Sequence, residues 1–105
     1  MSQEFLTDGE VEAGVVVENE LKEPSMYRVL LHNDDYTTMD FVVMVLEEVF
    51  HKTAQEAEAI MLAVHEKGCG VCGVYPKEIA EFRVALVAHR ALEAGFPLRC
   101  SMEKA

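Results

Sequence analysis

The stretch Met26-Tyr27-Arg28-Val29-Leu30-Leu31-His32-Asn33-Asp34-Asp35-Tyr36-Thr37-Thr38-Met39 decides the fold. Tyr27 to Leu31 is rich in residues that suit a pleated, half-buried surface, so it predicts a strand. Asn33, Asp34 and Asp35 end that strand, because short polar side chains bond to nearby backbone and favour turns. Thr37 or Thr38 then supplies an N-cap, and Asp40, three places after Thr37, resembles a capping box with the shorter acid. An amide, two carboxylates and a helix start thus gather at one corner, and apolar residues follow at once. Such a corner suits a small site that binds a cation beside an apolar pocket.

Working outward, Met39, Val42, Val43, Leu46, Val49 and Phe50 fall at helical spacing and predict a first helix over 38–50. Valine and phenylalanine are mediocre helix formers, so packing must hold this helix. Thr53-Ala54-Gln55-Glu56 is a well-formed capping box that opens a second helix. Ala57, Ile60, Met61 and Val64 share one face of it, and Lys67-Gly68 give it a basic last turn and a glycine stop. Cys69 to Tyr75 alternates glycine with small and β-branched residues and reads as a second strand. Pro76 suits the first position of a helix running from Lys77 to Ala94 and closed by Gly95. After Pro97, the alternation of Leu98 to Met102 predicts a last strand. The order β-α-α-β-α-β implies a single small α+β domain, a three-stranded antiparallel sheet with helices covering one face.

Composition narrows the function. At 105 residues the chain forms one domain at most, with half of its residues hydrophobic. No apolar run approaches the ~20 residues that cross a bilayer, and the first residues show neither a basic nor an apolar leader region. Three cysteines, an odd number, fit a reducing compartment better than a disulfide framework. The expectation is a cytoplasmic protein. The formal net charge is −10, and residues 1–24 hold seven acids against Lys22 alone. This segment reads as a flexible acidic N-terminal extension, leaving 25–105 as the core domain. Neither part offers the basic face that phosphate-dominated binding requires, which argues against nucleic acid as a partner.

Three candidate chemistries compete. His65, four residues after Met61, could be an ordinary surface or capping histidine. Alternatively it sits at a groove lined by Met39, Val42, Val43, Met61 and Val64, where the unbranched, polarizable methionines adapt to different guests. Cys69-Gly70-Val71-Cys72, with His65 and Cys100, could form a small zinc or thiol-redox centre. Strand alternation opposes this by placing Cys69 and Cys72 on opposite faces. Asp34-Asp35 could be a catalytic pair, but neither a nucleophile nor a glycine-rich phosphate loop accompanies it. The expectation is a protein that is not an enzyme and needs no cofactor or metal.

The segment from Pro24 to Thr37 and the stretch Met61-Leu62-Ala63-Val64-His65 together strongly resemble the ClpS family. That family comprises bacterial adaptors that recognise N-degrons and deliver them to a Clp unfoldase. The likeness extends through Cys72-Gly73-Val74-Tyr75, Glu78-Ile79-Ala80-Glu81 and Pro97-Leu98 to Ala105. It implies a βααβαβ fold and a pocket for the first residue of a polypeptide, with Leu, Phe, Tyr and Trp preferred. By that resemblance Asn33, Asp34 and His65 hold the substrate α-amino group, Asp34 through water. Met39, Val42, Val43, Met61, Val64 and Leu98 line or gate the side-chain pocket. Tyr75, Glu78 and Arg83 fall on the face that docks on the N-terminal domain of a ClpA-like AAA+ unfoldase, and the extension acts in hand-off. The chain departs from the family at Thr38, where proline is common, and at His32, where an apolar residue is common. A ribosomal-stalk-like interaction domain of the same fold is a third possibility, since fold alone does not give function.

Overall fold

The computed structural model describes residues 24–105; most of the expected acidic extension lies outside the described residues. The elements are β1 (Met26–His32), α1 (Met39–Glu48), α2 (Ala54–Lys67), β2 (Cys69–Pro76), α3 (Lys77–Ala94) and β3 (Arg99–Lys104). β1 is the central strand, antiparallel to β2 on one side and β3 on the other. The order and the helix-on-one-face architecture are those expected from the sequence.

Alternation along β1 explains the layering. Val29 and Leu31 are fully buried against the helices, together with Val45, Leu46 and Val49 of the α1 region, Cys72 of β2 and Val87 of α3. Arg28, Leu30 and His32 point to the other face. There Arg28 pairs with Glu103, and His32 Nε2 shares a 2.6 Å hydrogen bond with the Ser101 hydroxyl. The polar residue at position 32 thus sits outside the core with a partner. Burial and the Arg99 charge lower its pKa, against Glu103, so it takes the neutral form.

Register along β2 is not uniform. Val29 faces Gly73 and Leu30 faces Val71, so Cys72 is an extra residue, a bulge. The bulge resets the alternation, so that Cys72 and Tyr75, three apart, both turn toward the core. Tyr75 lies 6.4 Å from the Phe50 ring and carries the Arg83 guanidinium 5.0 Å above its own. α3 crosses the sheet on the small residues Ala80, Val87 and Ala91, which permit close approach. The Phe41 and Phe96 rings, 4.9 Å apart, tie the start of α1 to the segment before β3.

Several local expectations are corrected. Thr38, not Thr37, caps α1, accepting from the Phe41 N–H at 3.1 Å, and the Thr37–Asp40 box does not form because Thr37 bonds to Asp34 instead. α1 ends at Glu48, two residues early, where His51 takes a positive φ of 56° and the Lys52 N–H donates to the Leu46 carbonyl at 3.1 Å. His51 thus takes, just past the helix end, the left-handed conformation that glycine usually supplies. Pro76 stands at the N-cap of α3 rather than at its first turn, because its extended ψ of 155° still continues the pairing with Met26. β3 starts at Arg99, since Leu98 is drawn into the core. The Thr53–Glu56 capping box and the Gly68 and Gly95 stops form as expected.

His51→Gly is expected to stabilise the domain by about 0.5–1 kcal/mol, because the left-handed conformation strains a residue with a Cβ. An unchanged or lowered urea midpoint would contradict that assignment. Gly70→Ala is expected to cost about 1–3 kcal/mol. Its Cβ would stand 2.9 Å from Val64 Cγ2 and 3.2 Å from the Ile60 carbonyl oxygen, and the latter is backbone that cannot swing away. The same urea titration reads it.

Candidate functional site

The site is built where β1 ends and where α2 turns into β2. The Asn33 N–H donates to the Gly68 carbonyl at 2.9 Å, locking the polar corner against the C-terminus of α2. Gly68 takes a φ of 92°, open to glycine at no steric cost, and this sends the chain directly into β2. His65, in the last turn of α2, is thereby brought beside Asn33.

Asp34 organises the corner. One carboxylate oxygen accepts from the Tyr36 and Thr37 N–H groups at 2.8 and 2.7 Å, and the other from the Thr37 hydroxyl at 2.8 Å. Burial by itself would raise the Asp34 pKa, but these three hydrogen bonds outweigh it and hold the carboxyl below its ordinary range. Asp34 is therefore an anion at neutral pH. A carboxylate accepts about four hydrogen bonds, so one acceptor position stays free.

Asn33, Asp34, Asp35, Thr37 and His65 form the polar rim of a cavity of about 280 Å³. Its apolar wall is Met39, Val42, Met61 and Val64. Val42, Met61 and Val64 are 6, 8 and 3% exposed and belong to the core, whereas Met39 is 47% exposed at the mouth. A cavity of this volume accepts one large side chain. Its rim offers acceptors: the Asn33 amide oxygen, the Asp34 and Asp35 carboxylates, and the His65 imidazole.

The structure brings together seven of the residues expected at the amine clamp and pocket: Asn33, Asp34, His65, Met39, Val42, Met61 and Val64. Two others stand apart. Val43, one position round α1 from Val42, faces a neighbouring groove, and Leu98 is packed in the core, 6% exposed, and does not line the cavity. Asp35 and Thr37 line it although the sequence reading gave them no role there. Their signal was their place in the same tight corner.

The zinc or thiol alternative does not assemble. Cys69 is exposed, Cys72 fully buried and Cys100 half-buried, and among the described residues no three metal-ligating side chains converge. Burial pushes the Cys72 thiol far up and that of Cys100 up to about 12, so both stay protonated and poorly nucleophilic.

Tyr75, Glu78 and Arg83 lie at the other end of β2, seven or so residues and thus about 20 Å of strand from the cavity. Glu78 is exposed in the first turn of α3, with Ile79 and Phe82 exposed nearby. Tyr75 and Arg83 are half-buried, and Arg83 Nη1 donates to the Val49 carbonyl. Arg83 therefore braces the end of α1 against α3. Among the described residues, no helix is long and apolar enough to cross a membrane.

Comparison with known proteins agrees with this geometry. Residues 22–101 match the family model described as ATP-dependent Clp protease adaptor protein ClpS. The chain is 63% identical over 93 residues to the ClpS adapter of Oleidesulfovibrio alaskensis, covering 89% of each chain. It is 59% identical over 99 residues to that of Nitratidesulfovibrio vulgaris strain Miyazaki F, covering 94% of this chain and 99% of the relative. Among solved structures it is similar to Agrobacterium tumefaciens ClpS2 bound to L-phenylalaninamide, with a TM-score of 0.77 and 36% identity over 79% of this chain and 100% of that one. The chain belongs to the ClpS family of Clp protease adaptors.

Proposed function

We propose that this chain is a non-enzymatic adaptor that captures polypeptides by a bulky hydrophobic N-terminal residue, Leu, Phe, Tyr or Trp. It then delivers them to a ClpA-like AAA+ unfoldase for ATP-dependent proteolysis. The observation that carries the reading is the ring of acceptors on the rim of an apolar cavity, Asn33, Asp34 and His65 above Val42, Met61 and Val64. The ligand of the Agrobacterium ClpS2 structure supports it, since phenylalaninamide pairs a free α-amine with a benzyl side chain. Its amide stands where a polypeptide would continue.

An α-amino group has an ordinary pKa of about 7.7–8.0, so at neutral pH it is mostly an ammonium with three donors. An internal residue offers one uncharged N–H at the same place. Asn33, Asp34 and His65 favour the ammonium over that amide, so a free chain end is required. Side-chain burial contributes about 1.5–3 kcal/mol for Leu or Phe. Charge-assisted hydrogen bonds contribute about 1.5–3 kcal/mol each when intact. The two terms are comparable, and neither alone gives useful affinity. Met39 at the mouth disfavours β-branched Ile and Val, whose bulk lies next to the backbone. Catalysis of ATP hydrolysis and peptide cleavage is assigned to the partners. Tyr75, Glu78 and Arg83 mark the docking face, Arg83 by stacking on the Tyr75 ring, and the acidic extension takes part in hand-off.

Fluorescence anisotropy with labelled peptides tests the pocket. Peptides beginning with Leu or Phe are expected to bind, and their Nα-acetylated forms to lose at least about 100-fold, the equivalent of two charge-assisted bonds at the low end of their range. Equal affinity for the acetylated forms would end the assignment. Asn33→Ala and His65→Ala are each expected to weaken binding about 10- to 100-fold with the urea midpoint almost unmoved, since both side chains are exposed and outside the core. Wild-type affinity in either variant would remove that residue from the clamp.

A further inference from the structure

The helices cover one face of the sheet, and the other face is open. There Leu30 of β1 stands opposite Val71 of β2, and Arg28 opposite Val74. Val71, Val74 and Met26 are 44, 45 and 39% exposed. The solvated face of an antiparallel sheet is ordinarily polar, so an apolar stripe along it marks a surface that something covers. Two cations bracket the stripe, Arg28 toward the start of β1 and Arg99, opposite His32, toward its end. Arg28 has one carboxylate neighbour, Glu103 at 3.4 Å, and Arg99 has none among the described residues. Two cations against one carboxylate make this face +1, in a chain of −10.

We propose that the open sheet face is the docking site of the chain's own residues 10–20, with Val15-Val16-Val17 on the Leu30–Val71–Val74 stripe and the flanking glutamates against Arg28 and Arg99. The inference does not depend on the reading of the cavity. Charge complementarity is its first support. Glu10 and Glu12 precede the three valines and Glu18 and Glu20 follow them, so acids bracket an apolar centre as the two cations bracket the stripe. Reach is the second. Val17 lies nine residues before Met26, a span of up to about 30 Å, and the seven residues of β1 extend about 23 Å. A segment folded back from Met26 brings Glu18 and Glu20 to Arg28 first and Glu10 and Glu12 on to Arg99. So short a tether gives an effective concentration in the millimolar range, and a contact of only millimolar affinity is then occupied. Charge disfavours the other occupants. A second copy presents the same two arginines on its own face, and nucleic acid is repelled by the −10 of the whole chain. Held there, the segment is withheld from other partners until one of them, or salt, displaces it.

The test follows backbone amide signals of the isotopically labelled full chain by NMR at ~50 mM salt, where exposed charges are weakly screened. Val15→Asp/Val17→Asp is expected to shift the signals of Leu30, Val71 and Val74 and to leave those of Val45 and Val87, both fully buried on the helical side, in place. A nitroxide on Cys69, the exposed cysteine opposite His32 on the same face, is expected to broaden the signals of Val15 to Val17. Arg99→Glu turns an attraction into a repulsion and is expected to restore their intensity at least about twofold. Lys52→Glu makes the same charge change in the link between α1 and α2 and is expected to restore none. Unmoved signals of Leu30, Val71 and Val74, absence of broadening, or equal recovery in the two charge variants each overturns the proposal. Labelled chains without nitroxide, mixed with unlabelled chains that carry it, are expected to show no broadening. Broadening in that mixture assigns the face to a second copy and overturns the intramolecular contact.

Discussion

The 2.9 Å hydrogen bond from the Asn33 N–H to the Gly68 carbonyl joins the end of β1 to a junction distant in sequence, where the last turn of α2 runs into the start of β2. Because Gly68 reverses the chain in a left-handed conformation, α2 hands over to β2 without a loop, and β2 then pairs along β1. The closeness of Gly70 to Val64 and Ile60 holds α2 down on β2 at the same place. His65 has no described hydrogen bond that orients it. Its position beside Asn33 follows from this backbone junction, which fixes the distance between the two halves of the rim.

Around that junction the polar and apolar parts of the site are built differently. Asp34 is held by three bonds within its own turn, so the acceptor geometry exists before any ligand arrives. Preorganisation of this kind lowers the ordering cost of binding. The apolar wall combines rigid Val42 and Val64 with two methionines, whose flexible thioether chains fit rings and branched aliphatics alike. Fixed acceptors on the rim thus stand beside an adaptable apolar wall.

The sheet holds the cavity and the Tyr75 end of β2 apart. The cavity lies where β1 ends at His32, and Tyr75 with Pro76 lies where β1 begins at Met26, opposite Tyr27 and Met26 in the register. Arg83 shows how tertiary context alters a residue's meaning. As a cation on an amphipathic helix it reads as a surface contact, yet its guanidinium lies over Tyr75 and donates to the Val49 carbonyl.

Much of this was legible in the chain itself, because the signals are local. Helical spacing of Val42, Leu46 and Val49, the Thr53–Glu56 box, the glycine stops and the alternation of Val29 and Leu31 each depend on neighbours within a few residues. The polar corner from Asn33 to Asp35 announced itself for the same reason. What depends on packing was hidden. Whether Thr37 or Thr38 caps α1 is settled by the competing demand of Asp34, and the bulge at Cys72 sets which residues of β2 face inward. Val42 and Val43 are one helical step apart, so only the placement of α2 decides that one lines the cavity and the other the neighbouring groove. Leu98 goes to the core because the chain entering β3 turns its side chain inward beneath the helices. Local chemistry chose the elements and the acceptors; the three-dimensional packing chose which side chains share a wall, since that is fixed by contacts between residues far apart along the chain.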